Sequence, residues 1–333
     1  MTTITTLIPA YKPEYLGETL MSLRRQSFRD FRVIVSDDSR DGKIVALLRD
    51  GAFAAATDGL NVLAVRGPGN ARLNHLSLLD RWAGSSPFVH LLMDDDVVFP
   101  NFYQSHLAAH AGGAYGVSVS ARWLSQDDSR PAFALPVPAA IANSPLRAVP
   151  LQGDQVFATV VPGCENWLGE LSNMVWSAEA AAHYPRPPAD GLSYYGLLDI
   201  GAVLDSVTRR PMVYLPEHLG VFRQHAQQTT YSTVGHSRRV AMLVWAATGL
   251  HAWAEGRVSA QEAVAAISTT VKRCLNQFGE DDPVMNRFYA LVQDEGRSLP
   301  GLHAAFTAFW LDLLAGDPAT APARAAGREA VPA

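Results

Sequence analysis

The sequence predicts an α/β fold, in which a mostly parallel, Rossmann-like sheet forms one domain and a helical region follows at the C-terminus. Three observations support this prediction. β-Branched runs alternate with amphipathic helical patterns through the first hundred residues, which is typical of right-handed βαβ units. Polar clusters directly follow three of the predicted strands. After residue 235 the strand-like runs stop, and helical periodicity continues to about residue 314.

Hydrophobic periodicity defines the elements of the first half. Short β-branched runs bounded by turn residues predict strands, and apolar residues recurring at helical spacing predict helices. In chain order, we predict a strand at 4–10, a helix at 14–26, a strand at 31–37, a helix at 42–51, a strand at 61–65, a helix at 71–83 and a strand at 88–93.

The pattern loosens in the second half of the chain. We predict strands at 114–124 and 211–216, a Pro- and Ala-rich loop at 129–150, and a turn at the start of 185–199. The chain then divides into a sheet domain at 1–234, with halves at 1–105 and 106–234, and a helical region at 235–314. The last residues, 315–333, are biased toward Ala, Pro and Gly, and we predict that they are disordered.

Composition and charge exclude several classes of protein. Hydrophobic residues make up 48% of the chain and charged residues 18%, as in ordinary globular domains. A net charge of -5 argues against a nucleic-acid partner. The two cysteines form no disulfide framework or zinc spacing, and no signal peptide or membrane span is evident. We therefore expect a cytoplasmic protein.

Three adjacent carboxylates, Asp94, Asp95 and Asp96, follow the strand predicted at 88–93. Like charges at this spacing repel one another unless a cation lies close by. Carboxylate oxygens are suitable ligands for Mg²⁺ or Mn²⁺. The other interpretation is a solvated acidic loop, or a helix N-terminus that favours negative charge. The position after an apolar strand favours the metal site.

Two further polar segments follow the second and third predicted strands. In SDDSRDG at 36–42, a carboxylate at the strand end can accept hydrogen bonds from a ribose or a base, although acidic residues are also common helix caps. In GPGNARLN at 67–74, a tight turn precedes a helix whose free N–H groups and Arg72 could face an anion. A plain strand-to-helix turn explains that segment equally well.

The order of these motifs is more informative than any one of them. PAYKP, QSFRDFRVIVSDDSRDG, GPGNARLN and LLMDDDVVFPNFY together resemble the inverting glycosyltransferase family 2, which has the A-type nucleotide-sugar transferase fold. The resemblance covers roughly residues 1–105 well and 160–230 more loosely. Lys12 stands where the family usually has Asn, and Leu198 replaces an acidic residue.

The resemblance implies a donor site in the first half of the sheet domain. Asp38 would bind the base, most often uracil, and Arg72 would lie near the base or the diphosphate. The D-x-D pair implied is Asp94 and Asp96, although the motif can also be aligned so that it includes Asp95. The remaining nucleotide contacts implied are Pro9, Ala10 and Tyr11.

The region 214–232 resembles the metal-binding segment of the family. His225 would be the third protein ligand of the cation, beside Asp94 and Asp96, and His218 is the competing choice. A neutral imidazole is a suitable partner for carboxylates around Mn²⁺. A surface loop would explain this histidine without a metal. Arg223 would counter the charge of the diphosphate.

The resemblance places the general base and the acceptor in the second half. Asp199 matches the base, with Asp205 as the nearest rival and Asp190 and Glu165 behind it. Trp167 and Trp176 are candidates for stacking on an acceptor sugar, and core packing explains them equally well.

The resemblance implies metal-dependent, inverting transfer of a sugar from a nucleotide-diphosphate donor to a hydroxyl of a glycan, a lipid-linked molecule or a small molecule. A UDP-sugar is the first donor that we expect. Two alternatives remain: a sugar-1-phosphate nucleotidyltransferase, and an inactive relative that binds glycans or partners. Three roles are open for the helices after residue 235. They could cover the acceptor site, form a homo-oligomer interface or contact the inner face of the membrane.

Overall fold

A computed structural model describes residues 2–126, 130–186, 188, 190–225, 235–296 and 298–316, apart from the side chain of Arg72. These residues form one nine-stranded sheet. Its strands are β1 Ile4–Ala10, β2 Phe31–Asp37, β3 Val62–Arg66, β4 Phe88–Leu91, β5 Val97–Val98, β6 Val117–Ser125, β7 Val149–Leu151, β8 Met174–Ser177 and β9 Met212–Arg223.

The sheet order is β3-β2-β1-β4-β8-β6-β9-β5, with β7 paired to β9. The first four strands are parallel to one another. Strand β8 then runs antiparallel between β4 and β6, and β9 is parallel to β6. Because β6 and β9 run in the same direction as β1 to β4, these six strands have their carboxyl ends at one edge of the sheet, and β8 runs the opposite way. The mostly parallel, Rossmann-like sheet predicted from the sequence is confirmed.

Helices cover both faces of this sheet. They are α1 Leu16–Arg24, α2 Lys43–Arg49, α3 Ala54–Thr57, α4 Ala71–Trp82, α5 Phe102–Ala111, α6 Ala139–Ala142, α7 Gly153–Val160, α8 Ala178–Ala182, α9 Leu198–Val207, α10 Gly235–Ala254, α11 Ala260–Phe278, α12 Pro283–Glu295 and α13 Leu299–Ala315, with a 3₁₀ turn at Leu171–Asn173.

Alternation along the central strands divides the core into two layers. Ile4 and Ile8 of β1 pack on the side of α1, α2 and α5, whereas Leu7 between them packs on the opposite side. This is the period-two geometry of a strand buried on both faces. Residues of α7, α9 and α10 through α13 join the same cluster as Leu7, so the C-terminal helices share a hydrophobic core with the sheet.

The predicted loop at 129–150 contains the short helix α6 and the start of strand β7. Strand β9 extends well beyond the predicted 211–216, because it crosses the sheet to the edge where Arg223 lies. Residues 317–333 of the predicted disordered tail lie outside the described residues. No helix in the described part of the chain is long and apolar enough to span a membrane.

Candidate active site

The ends of β1, β2 and β4 meet at the carboxyl edge of the sheet. The backbone N–H of Asp38 donates to the carbonyl of Ala10 at 2.7 Å. The N–H groups of Tyr11 and Lys12 both donate to Asp94 Oδ2, at 2.7 and 3.1 Å. The segment after Pro9 is therefore tied to both acidic clusters. The Tyr11 residue is 54% exposed, so its ring is accessible at this edge.

The two aspartates after β2 have different environments. Burial acts to raise the pKa of Asp37, but hydrogen bonds from Ser39 and Val45 and the charge of Arg66 hold it below its ordinary value. Asp38 instead accepts a hydrogen bond from the Gly69 N–H at 2.6 Å, within the GPGN turn. Asp37 is therefore a structural residue, and Asp38 is the acid that connects β2 to the turn before α4.

Gly67 is required in that turn because of close packing. A Cβ there would lie 2.7 Å from Asp38 Oδ1 and 3.0 Å from Ser36 Oγ. The backbone of the turn can therefore approach Asp38 only without a side chain at this position. Arg72 lies in the first turn of α4, and its side chain is outside the described part of the structure.

The three adjacent aspartates point to three different partners. Asp94 accepts the two N–H groups described above. Asp95 Oδ2 lies 2.9 Å from His225 Nε2. Asp96 Oδ1 accepts the backbone N–H of Arg223 at 3.0 Å, while its buried Oδ2 has no partner with hydrogen-bond geometry among the described residues. The Ser172 hydroxyl nevertheless lies close enough to act against the rise in the pKa of Asp96. From α1, the Thr19 hydroxyl lies 3.0 Å from the Asp94 carbonyl and 2.8 Å from that of Asp96.

Burial and mutual repulsion disturb the ionisation of the triplet. Burial, followed by the charge of Asp95, raises the pKa of Asp94 to about 6. The same two causes raise the pKa of Asp96 well above its ordinary value. Asp96 is only 1% exposed, so a nearby positive charge would favour its ionised form.

Some of the donor atoms at this corner are suitable ligands for a hard divalent cation. The unpartnered Asp96 oxygen and the adjacent Asp95–His225 pair offer oxygen and imidazole ligands. In the described residues, however, no three His, Cys, Asp or Glu side chains lie close enough together to hold a metal. The predicted set of Asp94, Asp96 and His225 is not assembled, because Asp94 turns toward the backbone after β1. His218, the rival ligand, stacks on Trp123 with ring centroids 4.2 Å apart.

Arg223 is buried within the site. Its side chain is 1% exposed, and its Nε donates to the Asp95 carbonyl at 2.8 Å. Its Nη2 donates to Glu18 Oε2 at 2.6 Å, and its guanidinium lies 4.1 Å from the centroid of the Tyr15 ring. The side chain therefore braces the aspartate segment against α1. The predicted contact with a diphosphate does not fit this burial.

Asp199 lies in the first turn of α9. Its Oδ1 accepts the N–H of Ile200 at 2.8 Å. Burial, followed by the charge of Glu170, raises the pKa of Asp199 to about 6. A carboxylate whose pKa lies just below neutrality is suited to accept a proton from a hydroxyl.

A partly buried ion pair, missed from the sequence, lies near Asp199. Arg122 on β6 makes a two-pronged contact with Glu170, at 2.6 Å from Nε and 3.0 Å from Nη2. The charge of Glu170 contributes to the raised pKa of both Asp199 and Asp96. The two residues are 48 positions apart. No sequence motif joins them, so only the fold reveals the pair.

Comparison with known proteins identifies the fold. Neither a family model nor a curated protein matches the sequence. The structure of S. aureus TarS is similar, with a TM-score of 0.55, 14% identity and coverage of 93% of this chain, which spans 54% of that longer chain. TarS 1–349 in complex with UDP-GlcNAc gives a TM-score of 0.53 at 16% identity, covering 93% of this chain and 90% of the other.

A second neighbour is the mannosyltransferase PcManGT from Pyrobaculum calidifontis, in complex with GDP-Man and Mn²⁺. Its TM-score is 0.51 at 15% identity, with 94% of this chain and 85% of that chain covered. The chain has the glycosyltransferase A-type fold. The structural neighbours thus confirm the fold that the motif order predicts.

Within this A-type fold, the predicted acceptor tryptophans are core residues. Trp167 is 5% exposed and Trp176 is 2% exposed, and both belong to the large hydrophobic cluster. Trp167 packs edge-on to Tyr214, and Trp176 packs against Tyr184. Neither indole presents a face to an acceptor in this structure.

The alternative bases are less well placed in the A-type fold. Asp205 forms an ion pair with Arg209, which lies just beyond the C-terminal end of α9. Glu165 forms an exposed ion pair with Arg273 of α11, at 3.6 Å. Asp190 is exposed in the loop before α9. Asp199 combines partial burial with proximity to the Arg122–Glu170 pair, and it remains our candidate.

Proposed function

We propose that this protein is an inverting glycosyltransferase that uses a nucleotide-diphosphate sugar as donor, and a UDP-sugar is our first choice. The reaction would use a divalent cation, with Asp199 as general base. One observation carries the proposal: Asp38, the aspartate triplet and His225 converge at the carboxyl edge of a sheet with the glycosyltransferase A-type fold. Ligands of open α/β sheets bind at this edge.

The donor half of the site would bind the nucleotide. Asp38 would accept hydrogen bonds from the base, and the exposed Tyr11 ring would lie against it. The backbone of Pro9, Ala10 and Tyr11 forms the pocket wall. Arg72 is proposed to contact the base or diphosphate, because α4 begins at this edge and its N-terminus favours an anion.

Asp95, Asp96 and His225 lie at the corner where the cation would bind, and their side chains would have to reorient to form a three-ligand set, because they do not form one in the described residues. Asp94 is positioned by the backbone and available to the ribose. A bound Mn²⁺ or Mg²⁺ supplies positive charge that stabilises the leaving diphosphate. The buried, unpartnered oxygen of Asp96 is the main support for this assignment. Arg223 acts indirectly, since its contacts with Glu18 and Asp95 orient the triplet.

Asp199 would take the proton from the acceptor hydroxyl as that oxygen attacks the anomeric carbon. The attack comes from the face opposite the leaving diphosphate, so the configuration inverts. The acceptor proposed is a glycan, a lipid-linked molecule or a small molecule. We also propose that the C-terminal helices can contact a membrane surface peripherally.

Product analysis tests the proposed reaction directly. The protein is incubated with Mn²⁺ and UDP- or GDP-linked sugars in the presence of an acceptor mixture, and the anomeric configuration of the product is determined by NMR. Inverted product and release of the nucleoside diphosphate are expected. Retained configuration, or sugar-1-phosphate and nucleoside triphosphate as the interconverted species, would contradict the proposal.

A further inference from the structure

Helix α1 lies along the part of the chain that begins with the aspartate triplet. Thr19 and Ser22 of this helix, and Gln26 just beyond its end, recur at helical spacing and are 0%, 6% and 3% exposed. Buried polar side chains need hydrogen-bond partners. All three find them in the backbone of residues 94–103. This buried row therefore joins α1 to the chain that carries the triplet.

The Thr19 hydroxyl lies between two carbonyl groups of the triplet. Its Oγ1 is 3.0 Å from the carbonyl oxygen of Asp94 and 2.8 Å from that of Asp96. A turn lies between these carbonyls, and in it the N–H of Asp96 donates to the Met93 carbonyl at 3.3 Å. A hydroxyl has a single proton to donate, so the two carbonyls share one donor. Both must point at α1, which fixes the backbone of the turn.

The middle carbonyl of the triplet is held through Arg223. The Nε of Arg223 donates to the Asp95 carbonyl at 2.8 Å, and its Nη2 donates to Glu18 of α1 at 2.6 Å. The Tyr15 ring, at the start of α1, lies with its centroid 4.1 Å from the guanidinium carbon and 5.0 Å from the centroid of the His225 ring. The first turns of α1 therefore support the whole metal corner.

These contacts act on the backbone of the triplet rather than on its carboxylates. The side chains of Asp95 and Asp96 must reorient before they can hold a cation together with His225. Side chains change rotamer without any movement of the backbone. A backbone that is already fixed in position reduces the conformational entropy that is lost when a ligand binds.

We propose that Thr19 is a positioning residue of the donor site, and that its hydroxyl holds the turn from which the carboxylates of the triplet reach the cation and the nucleotide. The inference rests on the proposed function. Thr19 acts through the carbonyls of Asp94 and Asp96, so its loss should affect the cation-dependent part of nucleotide binding.

Calorimetric titration of UDP and GDP with and without Mn²⁺ tests this role in wild type, Thr19→Val and Thr19→Ser. Valine has nearly the shape of threonine but lacks the hydroxyl. Thr19→Val should lose most of the roughly tenfold gain in affinity that we expect Mn²⁺ to give the wild type, and its affinity without Mn²⁺ should stay within about twofold. Thr19→Ser keeps the hydroxyl and should restore the gain.

Ser22→Ala is the matched control. It also removes one hydroxyl from the buried face of α1, but the Ser22 hydroxyl accepts the N–H of Val98, beyond the triplet, at 3.3 Å. This variant should lose stability toward urea and keep the gain with Mn²⁺. A purely structural role for Thr19 predicts the same pattern for Thr19→Val, so the two variants separate positioning from stability.

Thr19→Ala keeps the test decisive if Thr19→Val does not fold. The extra methyl group of valine would face two carbonyl groups, whereas alanine removes the same hydroxyl without placing a methyl group there. Alanine is also the most favourable residue in a helix. The expected loss of the gain with Mn²⁺ is the same for both variants.

Two results would overturn the proposal: an undiminished gain with Mn²⁺ in the variants without the Thr19 hydroxyl, or a loss that Thr19→Ser does not restore. An equal loss in Ser22→Ala would also overturn it, since any hydroxyl removed from α1 would then have the effect. In each case the wild type still gains affinity from Mn²⁺ and the proposed function stands. If the wild type binds no nucleotide, or gains nothing from Mn²⁺, the proposed metal-dependent function itself fails, and the role of Thr19 with it.

Discussion

At the scale of single residues, the partly buried Asp199 and the buried Asp96 both have raised pKa values, but their proposed roles require different protonation behaviour. Asp199 must give up its proton before it can act as a base. Asp96 is buried beside Asp95, so its ionised form becomes favourable only next to a cation. Each role predicts a different response to substitution by asparagine.

Asp199→Asn should lower the rate of sugar transfer by about 10²–10⁴-fold, because an amide cannot accept the acceptor proton. Binding of the nucleotide should not change, since Asp199 is not among the residues proposed to contact it. For the wild type, kcat/KM should rise with pH up to about 6, where Asp199 loses its proton, and level off above it. Full transfer activity in the variant would move the base elsewhere.

Asp96→Asn should stabilise the protein in the absence of a cation. The pKa of Asp96 is raised in the folded state, so the folded form binds a proton more tightly than the unfolded form. Ionisation therefore costs stability, and this cost grows as pH rises above about 4, the unfolded value. The variant should gain about 1–3 kcal/mol in the free energy of unfolding at pH 7, measured with urea.

The same variant should lose the stabilisation that Mn²⁺ gives to the wild type. Asp58→Asn is a suitable control, because Asp58 is exposed in a surface ion pair with Arg24 and should change stability little. An Asp96 variant that is less stable than wild type without metal would show that Asp96 is a structural acid instead.

At the scale of elements, the helix that carries Asp199 depends on the C-terminal helices. The loop before α9 packs into them at Gly196, whose φ is +115°. A Cβ at that position would lie 2.6 Å from Val244 Cγ2 of α10 and 3.8 Å from Trp310 of α13. Tyr194 in the same loop donates to Glu255 after α10 at 2.9 Å. The C-terminal helices therefore hold the loop that leads to the proposed base.

Gly196→Ala should destabilise the protein by about 1–3 kcal/mol more than Gly191→Ala. Both glycines have positive φ, but a Cβ at Gly191 would meet nothing within 4 Å, so the difference reports the contact with Val244 together with the greater backbone strain at +115° than at +73°. Urea unfolding measures the stability, and the transfer assay should show a larger loss for the Gly196 variant. Equal effects would mean that the loop does not depend on α10.

At the scale of the whole molecule, the sheet and the C-terminal helices share one hydrophobic cluster. Phe157 of α7, Val203 of α9 and Val244 of α10 belong to it together. The sequence predicts a boundary near residue 235, because the strand-like runs end there. A change in secondary structure is visible in the local pattern, whereas the sharing of a core depends on contacts between distant segments.

Removal of residues 235–333 should therefore prevent cooperative folding of the remainder, because it exposes the apolar surfaces of α7 and α9. The full chain should unfold in one transition detected by circular dichroism and by tryptophan fluorescence alike. A soluble 1–234 fragment that still binds a nucleotide would show that the sheet domain is independent.

Local pattern was enough to predict the first half of the fold. The runs that form β1, β2 and β3 are rich in β-branched residues and bounded by turns, so their positions follow from periodicity. The segment that forms α7, the 3₁₀ turn and β8 mixes aromatic, small and polar residues, and it shows no clear period. Tertiary pairing decides its structure.

The same distinction applies to the candidate site. Asp38, the triplet and Asp199 stand at strand ends or at a helix start, where a sequence motif can be recognised. Glu170 and Arg122 come together only through the pairing of β6 with its neighbours. The burial of Trp176 also depends on that pairing, because an aromatic residue in an apolar segment suits a core and a binding platform equally.

The most direct test of the whole account is a calorimetric titration of UDP and GDP, with and without Mn²⁺, into wild-type protein and the Asp96→Asn variant. We predict that one of the two nucleotides binds wild type roughly tenfold more tightly with Mn²⁺, a gain of ~1.4 kcal/mol, and that the variant shows no such gain. Failure of both nucleotides to bind in the presence of Mn²⁺ would contradict the account.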